Sequence, residues 1–158
     1  MFSSDSEEWG TPAWLMAQLA EQYGEFDLDP AATVANAKAR NYFTKEQDGL
    51  SKEWRGNVFV NPPYGRHATA QWIQKAVGEV FNGTADQVIM LLPVRTDTKW
   101  FHELVMPYAS HIIFIQGRLQ FERGGESGPA PFPSMLVVFD NWRSTQKRPL
   151  VFTLQRKK

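Results

Sequence analysis

Asn61-Pro62-Pro63-Tyr64 brings together residue types suited to one kind of chemistry. The two prolines have fixed φ and no N–H, so the turn they make is stiff. The amide oxygen of Asn61 and the main-chain carbonyl of Pro62 are then two acceptors able to face one small NH2 group. The Tyr64 ring offers a flat surface on which a base can stack. An amine attached to an aromatic ring is a poor nucleophile, because its lone pair is delocalised into the ring. Two acceptors gripping its hydrogens pull the nitrogen toward tetrahedral geometry and stabilise the positive charge that develops there. The same four residues would also serve as a proline turn that merely ends a strand. They suit a WW-domain ligand less well, since that motif needs Pro-Pro-x-Tyr and here Tyr64 follows Pro63 directly.

The flanking elements decide where such a corner would sit. Asn57-Val58-Phe59-Val60 reads as a buried strand, and Gly65 then breaks the chain. Residues 67–81 predict an amphipathic helix with Trp72, Ile73, Ala76, Val77 and Val80 on one face. A strand tip leading into a helix is where open α/β sheets bind ligands. Upstream, Thr11 is a candidate N-cap and Pro12 a first-turn residue for a helix that carries Trp14, Leu15, Leu19 and Tyr23 and ends at Gly24. Phe26 and Leu28 alternate with Asp27 and Asp29 in a short strand, after which Pro30, Ala31 and Ala32 leave room for a ligand. Asp29 could pair with an ammonium there, or simply favour a helix N-terminus. A short helix is expected over 36–40, a strand at Tyr42-Phe43, and a polar loop over 44–56 with a turn at Asp48-Gly49.

Further along, Gln87–Leu92 and Ile112–Ile115 read as buried strands. Between them a helix is expected from about Thr98 to Met106, capped by Thr96 or Asp97. Residues 117–121 read as a short extended piece, 123–133 as a Gly/Pro loop, and 135–139 and 150–154 as strands. Strand–helix alternation up to residue 115 argues a mostly parallel sheet, and the closing extended segments an antiparallel finish.

With 158 residues the chain suits one domain spanning 1–158, with no separate recognition domain. Net formal charge is zero, but residues 1–60 carry 5 positive and 10 negative side chains and residues 61–158 carry 12 and 7. A basic second half could meet a polyanion. Without cysteine there is no disulfide framework and no thiolate, and three histidines make a metal site unexpected. No apolar run approaches the ~20 residues of a membrane span. The acidic, polar stretch Met1 to Trp9 is unlike a signal peptide, and residues 1–8 are expected to be loose.

The ordered set Trp9-x-Thr11-Pro12, Asp27-x-Asp29-Pro30-Ala31-Ala32, Asp48-Gly49-Leu50, Asn61-Pro62-Pro63-Tyr64, Arg95-Thr96-Asp97, Gly117-Arg118 and Ala130-Pro131-Phe132-Pro133-Ser134 resembles the phage-type DNA adenine-N6-methyltransferases. The resemblance runs from about Trp9 to Phe139. It implies an α/β, Rossmann-like class I methyltransferase fold, with helices on both faces of the sheet. It implies transfer of a methyl group from S-adenosyl-L-methionine to the N6 amine of an adenine flipped out of DNA.

Carried onto this sequence, Trp9, Thr11 and Pro12 would line the methionine end of the cofactor. Asp27 or Asp29, with Pro30 and Ala31, would occupy the first cofactor motif, which here lacks its usual glycines. Asp48 and Leu50 would lie near the cofactor adenine, and Asn61 would reach both ligands. The second strand has no terminal acid, so Asp48 or Asn41 would hold the ribose hydroxyls. Asn61, Pro62, Pro63 and Tyr64 would act on the amine, with Tyr64 contributing through its ring. Phe132 would stack on the flipped base, and Arg95, Arg118 and Arg123 would meet DNA phosphates. DNA is the implied partner, no membrane is involved, and a monomer or weak dimer is expected in the cytoplasm of a bacterial host. Two other functions remain compatible with these residues. One is methylation of another planar nitrogen, in an RNA base or a glutamine amide; the other is a module that binds without catalysing.

Overall fold

The computed structural model describes residues 9–141 and 149–158 of the chain, so the loose segment expected over 1–8 lies outside the described residues. Its strands are β1 (Leu28–Asp29), β2 (Asn41–Tyr42), β3 (Gly56–Val60), β4 (Ala85–Pro93), β5 (His111–Ile115), β6 (Gln120–Arg123), β7 (Glu126–Pro129), β8 (Ser134–Asp140) and β9 (Leu150–Leu154). Seven of them form one sheet in the order β2-β1-β3-β4-β8-β5-β9. β2, β1, β3 and β4 run parallel, and β8 is antiparallel to both of its neighbours, β4 and β5.

Alternation along the strands builds two cores, because successive side chains point to opposite faces. On one face Val58, Val60, Val88, Met90, Val137 and Phe139 pack under helix α2 (Ala68–Phe81), which contributes Trp72, Ile73, Ala76 and Val80. A third helix, residues 99–108, adds Phe101 and Val105 to that core. On the other face Phe59, Ile89, Leu91, Ile113, Leu136 and Val138 pack against Leu15 and Leu19 of helix α1 (Ala13–Tyr23). A helix on each face makes this an α/β sandwich whose parallel strands deliver their C-terminal ends to one edge.

Several local expectations change. Residues 36–40 are turns and bends, with no helix, because β1 and β2 pair directly and the intervening chain is spent returning from one to the other. The N-cap of α1 is Pro12, which forms no side-chain cap bond, and Thr11 faces elsewhere. The cap of the third helix is Thr98, whose Oγ1 accepts from the Phe101 N–H at 3.2 Å. Segment 123–133 holds half of a hairpin: β6 and β7 pair antiparallel through Gly124-Gly125, both at positive φ (55° and 87°). Gly-Gly is a two-residue hairpin signal because both turn positions need that conformation. Finally, the finish is only partly antiparallel, since β9 pairs parallel with β5.

Candidate active site

A cleft of about 490 Å³ opens at the edge of the sheet where β1 and β3 end and β8 begins. It falls in the usual size range of small-molecule sites. Its walls come from five stretches: the segment before α1, the loop between β1 and β2, the turn at Asp48-Gly49, the Asn61–Tyr64 corner, and the loop before β8.

The corner is locked by polar contacts on both sides of Asn61. Its Nδ2 donates to Thr11 Oγ1 at 3.3 Å, and its Oδ1 accepts from the Tyr64 hydroxyl at 2.9 Å. The same hydroxyl lies 2.9 Å from the Leu91 carbonyl, so the Tyr64 side chain is tied to β4 as well as to Asn61. Burial pushes the Tyr64 phenol well above its ordinary proton affinity, which keeps it a donor. A carbonyl oxygen has two lone pairs, so Asn61 Oδ1 retains one acceptor site after taking the Tyr64 bond. Thr11 is buried and Pro62 is buried, which leaves little slack around the amide.

Tyr64 and Phe132 touch edge to face, with ring centroids 5.4 Å apart and planes at 73°. The Arg95 guanidinium stands 5.7 Å from the Phe132 centroid. Two perpendicular rings cannot sandwich a flat base between them; a base stacked on one meets the edge of the other.

At the end of β1, Asp29 is only 4 % exposed. Its Oδ1 accepts from the Ala31 N–H at 3.3 Å and its Oδ2 from the Lys38 N–H at 3.0 Å. Burial raises its carboxyl to about 6, against the lowering effect of those two bonds and of the Lys38 charge. Beside the end of β1 lies a tight turn. Asp48 holds φ 54°, the one non-glycine at positive φ among the described residues. Gly49 follows it, and a Cβ there would stand 2.0 Å from the Pro30 carbonyl oxygen and 3.2 Å from the Trp72 ring. The buried Trp54 indole donates to the Gly49 carbonyl at 2.8 Å and stacks on Trp72 at 5.9 Å. Only glycine lets the Asp48 turn close this tightly on the end of β1.

A family model described as DNA N-6-adenine-methyltransferase (Dam) matches residues 2–158. The chain belongs to this family. A DNA N-6-adenine-methyltransferase of Haemophilus phage HP1 is 36% identical over 146 residues, covering 87% of this chain and 80% of that one. A second, from Escherichia phage T1, is 34% identical over 113 residues, which is 70% of this chain and 45% of the relative. Among solved structures, a putative RNA methyltransferase from Pyrococcus horikoshii aligns over 80% of both chains with a TM-score of 0.50 and 13% identity. That likeness shows the Rossmann-like methyltransferase fold.

In this Dam-family chain the cleft gathers Trp9, Thr11, Asp29, Pro30, Ala31 and Asp48 with Asn61, Pro62, Pro63, Tyr64, Arg95 and Phe132. Several residues expected at the site, Asn41 among them, are not in its lining. Asp27 is exposed at the opposite end of β1, where its Oδ2 accepts from the Asn57 N–H at 2.8 Å and lies against Gly56, so it braces β1 to β3. Leu50 turns into the core beneath α2, because a 3-10 turn (Gly49–Ser51) rotates it away from Asp48. Pro12 is consumed as the α1 cap, and Arg118 lies on the approach to β6. Arg123 does not line the cleft either; its guanidinium lies 4.9 Å from the centroid of the Trp9 ring.

Other lining residues escaped the sequence reading: Asn36, Lys38, Thr44 and Lys45, along with Trp72 and Phe121. The first two follow the C-terminal end of β1, and position after a strand end was the available signal.

Proposed function

We propose that this adenine-specific DNA methyltransferase holds its methyl donor, S-adenosylmethionine, along the Trp9–Thr11, Asp29–Lys38 and Asp48 walls. The target adenine is presented to the Asn61–Tyr64 corner. The observation that carries the reading is the Thr11–Asn61–Tyr64 chain of hydrogen bonds, which fixes the Asn61 amide in the lining of the cleft. The residues fit the donor. The cavity is of small-molecule size, a buried carboxylate and a cation line one wall, and Gly49 removes the Cβ that would push that wall apart. When bound, the donor supplies an electrophilic methyl group on a sulfonium, an excellent leaving group.

The chain's own residues then deal with the amine. Asn61 Oδ1 and the Pro62 carbonyl accept the two N6 hydrogens, which localises the nitrogen lone pair for attack and offsets the charge that builds up on it. The amine's proton would pass to solvent water after the carbon–nitrogen bond has formed, so no titratable base is required beside Asn61. A base inside a duplex must be flipped to reach this corner. Stacking on one face of Tyr64 recovers part of that cost, on the order of 1–3 kcal/mol. Phe132 contacts the base edge in the geometry described, and Arg95 neutralises a nearby phosphate.

Among the described residues no helix is long and apolar enough to cross a membrane. A phage-type enzyme acting on DNA would work in the cytoplasm of the host. The test is incubation of the protein with methyl-labelled donor and duplex DNA, followed by nucleoside analysis. Label in N6-methyladenine is the expected result. Label confined to RNA or to protein, when those are offered in parallel, would overturn the reading.

A further inference from the structure

We propose that Lys38 and Asp29 form a charge-paired clamp for the amino-acid end of the methyl donor, Lys38 taking its carboxylate and Asp29 its ammonium. The proposal rests on the placement of the donor in the cleft given above.

An α-amino acid carries two opposite charges on one carbon. A site that reads both must set a cation and an anion within a few ångströms of each other, both facing one cavity. Asp29 and Lys38 meet that demand although nine residues separate them, because the Lys38 N–H donates to Asp29 Oδ2 at 3.0 Å. The carboxylate therefore fixes the backbone position from which the lysine side chain departs. That side chain reaches the segment before α1: its Nζ lies 3.6 Å from where a Cβ on Gly10 would stand. Both residues line the cleft, with Asp29 buried and Lys38 half-buried. Among the described residues no carboxylate lies within ion-pair distance of Lys38 Nζ, and the carboxylate whose charge it feels is Asp29, across the same cleft. A ligand carboxylate at this place would accept a charge-assisted hydrogen bond from Lys38 Nζ. Asp29 uses one lone pair of each oxygen on the main-chain N–H groups of Ala31 and Lys38, so each oxygen has a further acceptor site for an ammonium.

Decarboxylated S-adenosylmethionine separates the two charges. It keeps the adenosine, the sulfonium and a terminal ammonium and lacks only the carboxylate. Calorimetric titration of the full chain with each ligand, without DNA, reads binding alone. The parent protein should bind the complete donor about ten- to a hundredfold more tightly than the decarboxylated one, the worth of a charge-assisted hydrogen bond. Lys38→Met should lose that factor for the complete donor and nothing for the decarboxylated one. Lys38→Arg should keep most of the discrimination. Asp29→Asn should weaken both ligands alike.

Equal losses for both ligands in Lys38→Met, or no loss for either, would overturn the assignment. So would a loss of discrimination in Lys45→Met, which would move the carboxylate to the other lysine of the cleft. A parent protein that binds neither ligand would instead bring down the donor's placement in the cleft, and the clamp with it. A melting transition unchanged from the parent shows that each variant is folded.

Discussion

On the β3–β4 side of the cleft, Asn61 is held through its side chain, with Thr11 on its nitrogen and Tyr64 on its oxygen. On the β1 side the order is reversed: the side chain of Asp29 holds the backbone, at Ala31 and Lys38. The first arrangement fixes a functional group and leaves a lone pair free. The second fixes a loop and leaves the loop's side chains to meet the ligand. A reacting atom must be placed to a fraction of an ångström, whereas a flexible, zwitterionic ligand end tolerates a lysine on a four-carbon stem. On the proposed placement of the donor, rate depends on the first wall and affinity on the second, and each can be altered separately.

Asn61→Ala should show the largest effect. Removing one preorganised hydrogen-bonding group costs about 10²–10³ in kcat. Donor affinity, measured by titration, should stay close to that of the parent protein. Asn61→Asp keeps an oxygen in place and should retain measurable turnover. A folded Ala variant methylating DNA near the parent rate would end the division of labour between the walls.

Gly49→Ala tests the other wall without touching a polar group. The new methyl would meet the Pro30 carbonyl at 2.0 Å, so backbone must shift. Overpacking of this kind costs about 1–3 kcal/mol of stability by denaturant unfolding. Because Pro30 adjoins Asp29, donor affinity should fall while turnover at saturating donor changes less.

Tyr64→Phe sharpens the corner. It removes the donor shared by Asn61 and Leu91 and keeps the ring. One net hydrogen bond is worth about 0.5–1.5 kcal/mol, so kcat should drop up to about tenfold with donor affinity intact. Full parent activity would mean that Thr11 alone orients Asn61.

The last test is a pH slope in stability rather than a change in rate. Asp29 titrates near 6 in the fold against 3.8 for the free side chain. A raised carboxyl contributes stability that is fully present below its unfolded value and is lost as pH rises through its folded value. The unliganded protein should therefore lose up to about 1.4 kcal/mol per pH unit between about 4 and 6 from this group. Asp29→Asn should flatten that stretch of the curve. Saturating donor should also flatten it, because an ammonium beside the carboxylate holds it ionised.

The corner was legible because its chemistry is local: a β-rich run, two prolines and an aromatic are adjacent in sequence, and the strand and α2 flank them directly. The elements that build the cores were legible for the same reason, through the apolar runs of β3 and β4 and the helical spacing in α2; that these runs feed two cores showed only once α1 and α2 were placed on opposite faces. The β1 wall was not legible. Asp27 and Asp29 are the same residue type two positions apart, and only the pairing of β1 with β3 puts one at the bottom of the sheet and the other at its top. Lys38 was hidden because its place depends on a hydrogen bond to a side chain nine positions earlier. Thr11 passed for a helix cap because the alternative partner, Asn61, lies fifty residues away. The β6–β7 hairpin is a different case, since Gly124-Gly125 stood in the sequence as a turn signal but was absorbed into a longer glycine- and proline-rich stretch.

The place of β8 in the sheet bears on when the enzyme comes into being during its synthesis. β4 and β5 follow one another in the chain yet do not pair; β8 lies between them and joins Gln87–Pro93 on one side to His111–Phe114 on the other. A nascent chain that has emerged only as far as β5 holds the Asn61 corner but has a split sheet and no Phe132. Pairings between segments this far apart close late, after the local helices have formed. The ribosome must therefore deliver β8 before the two halves can lock. Methylation then begins only once β8 has emerged and paired.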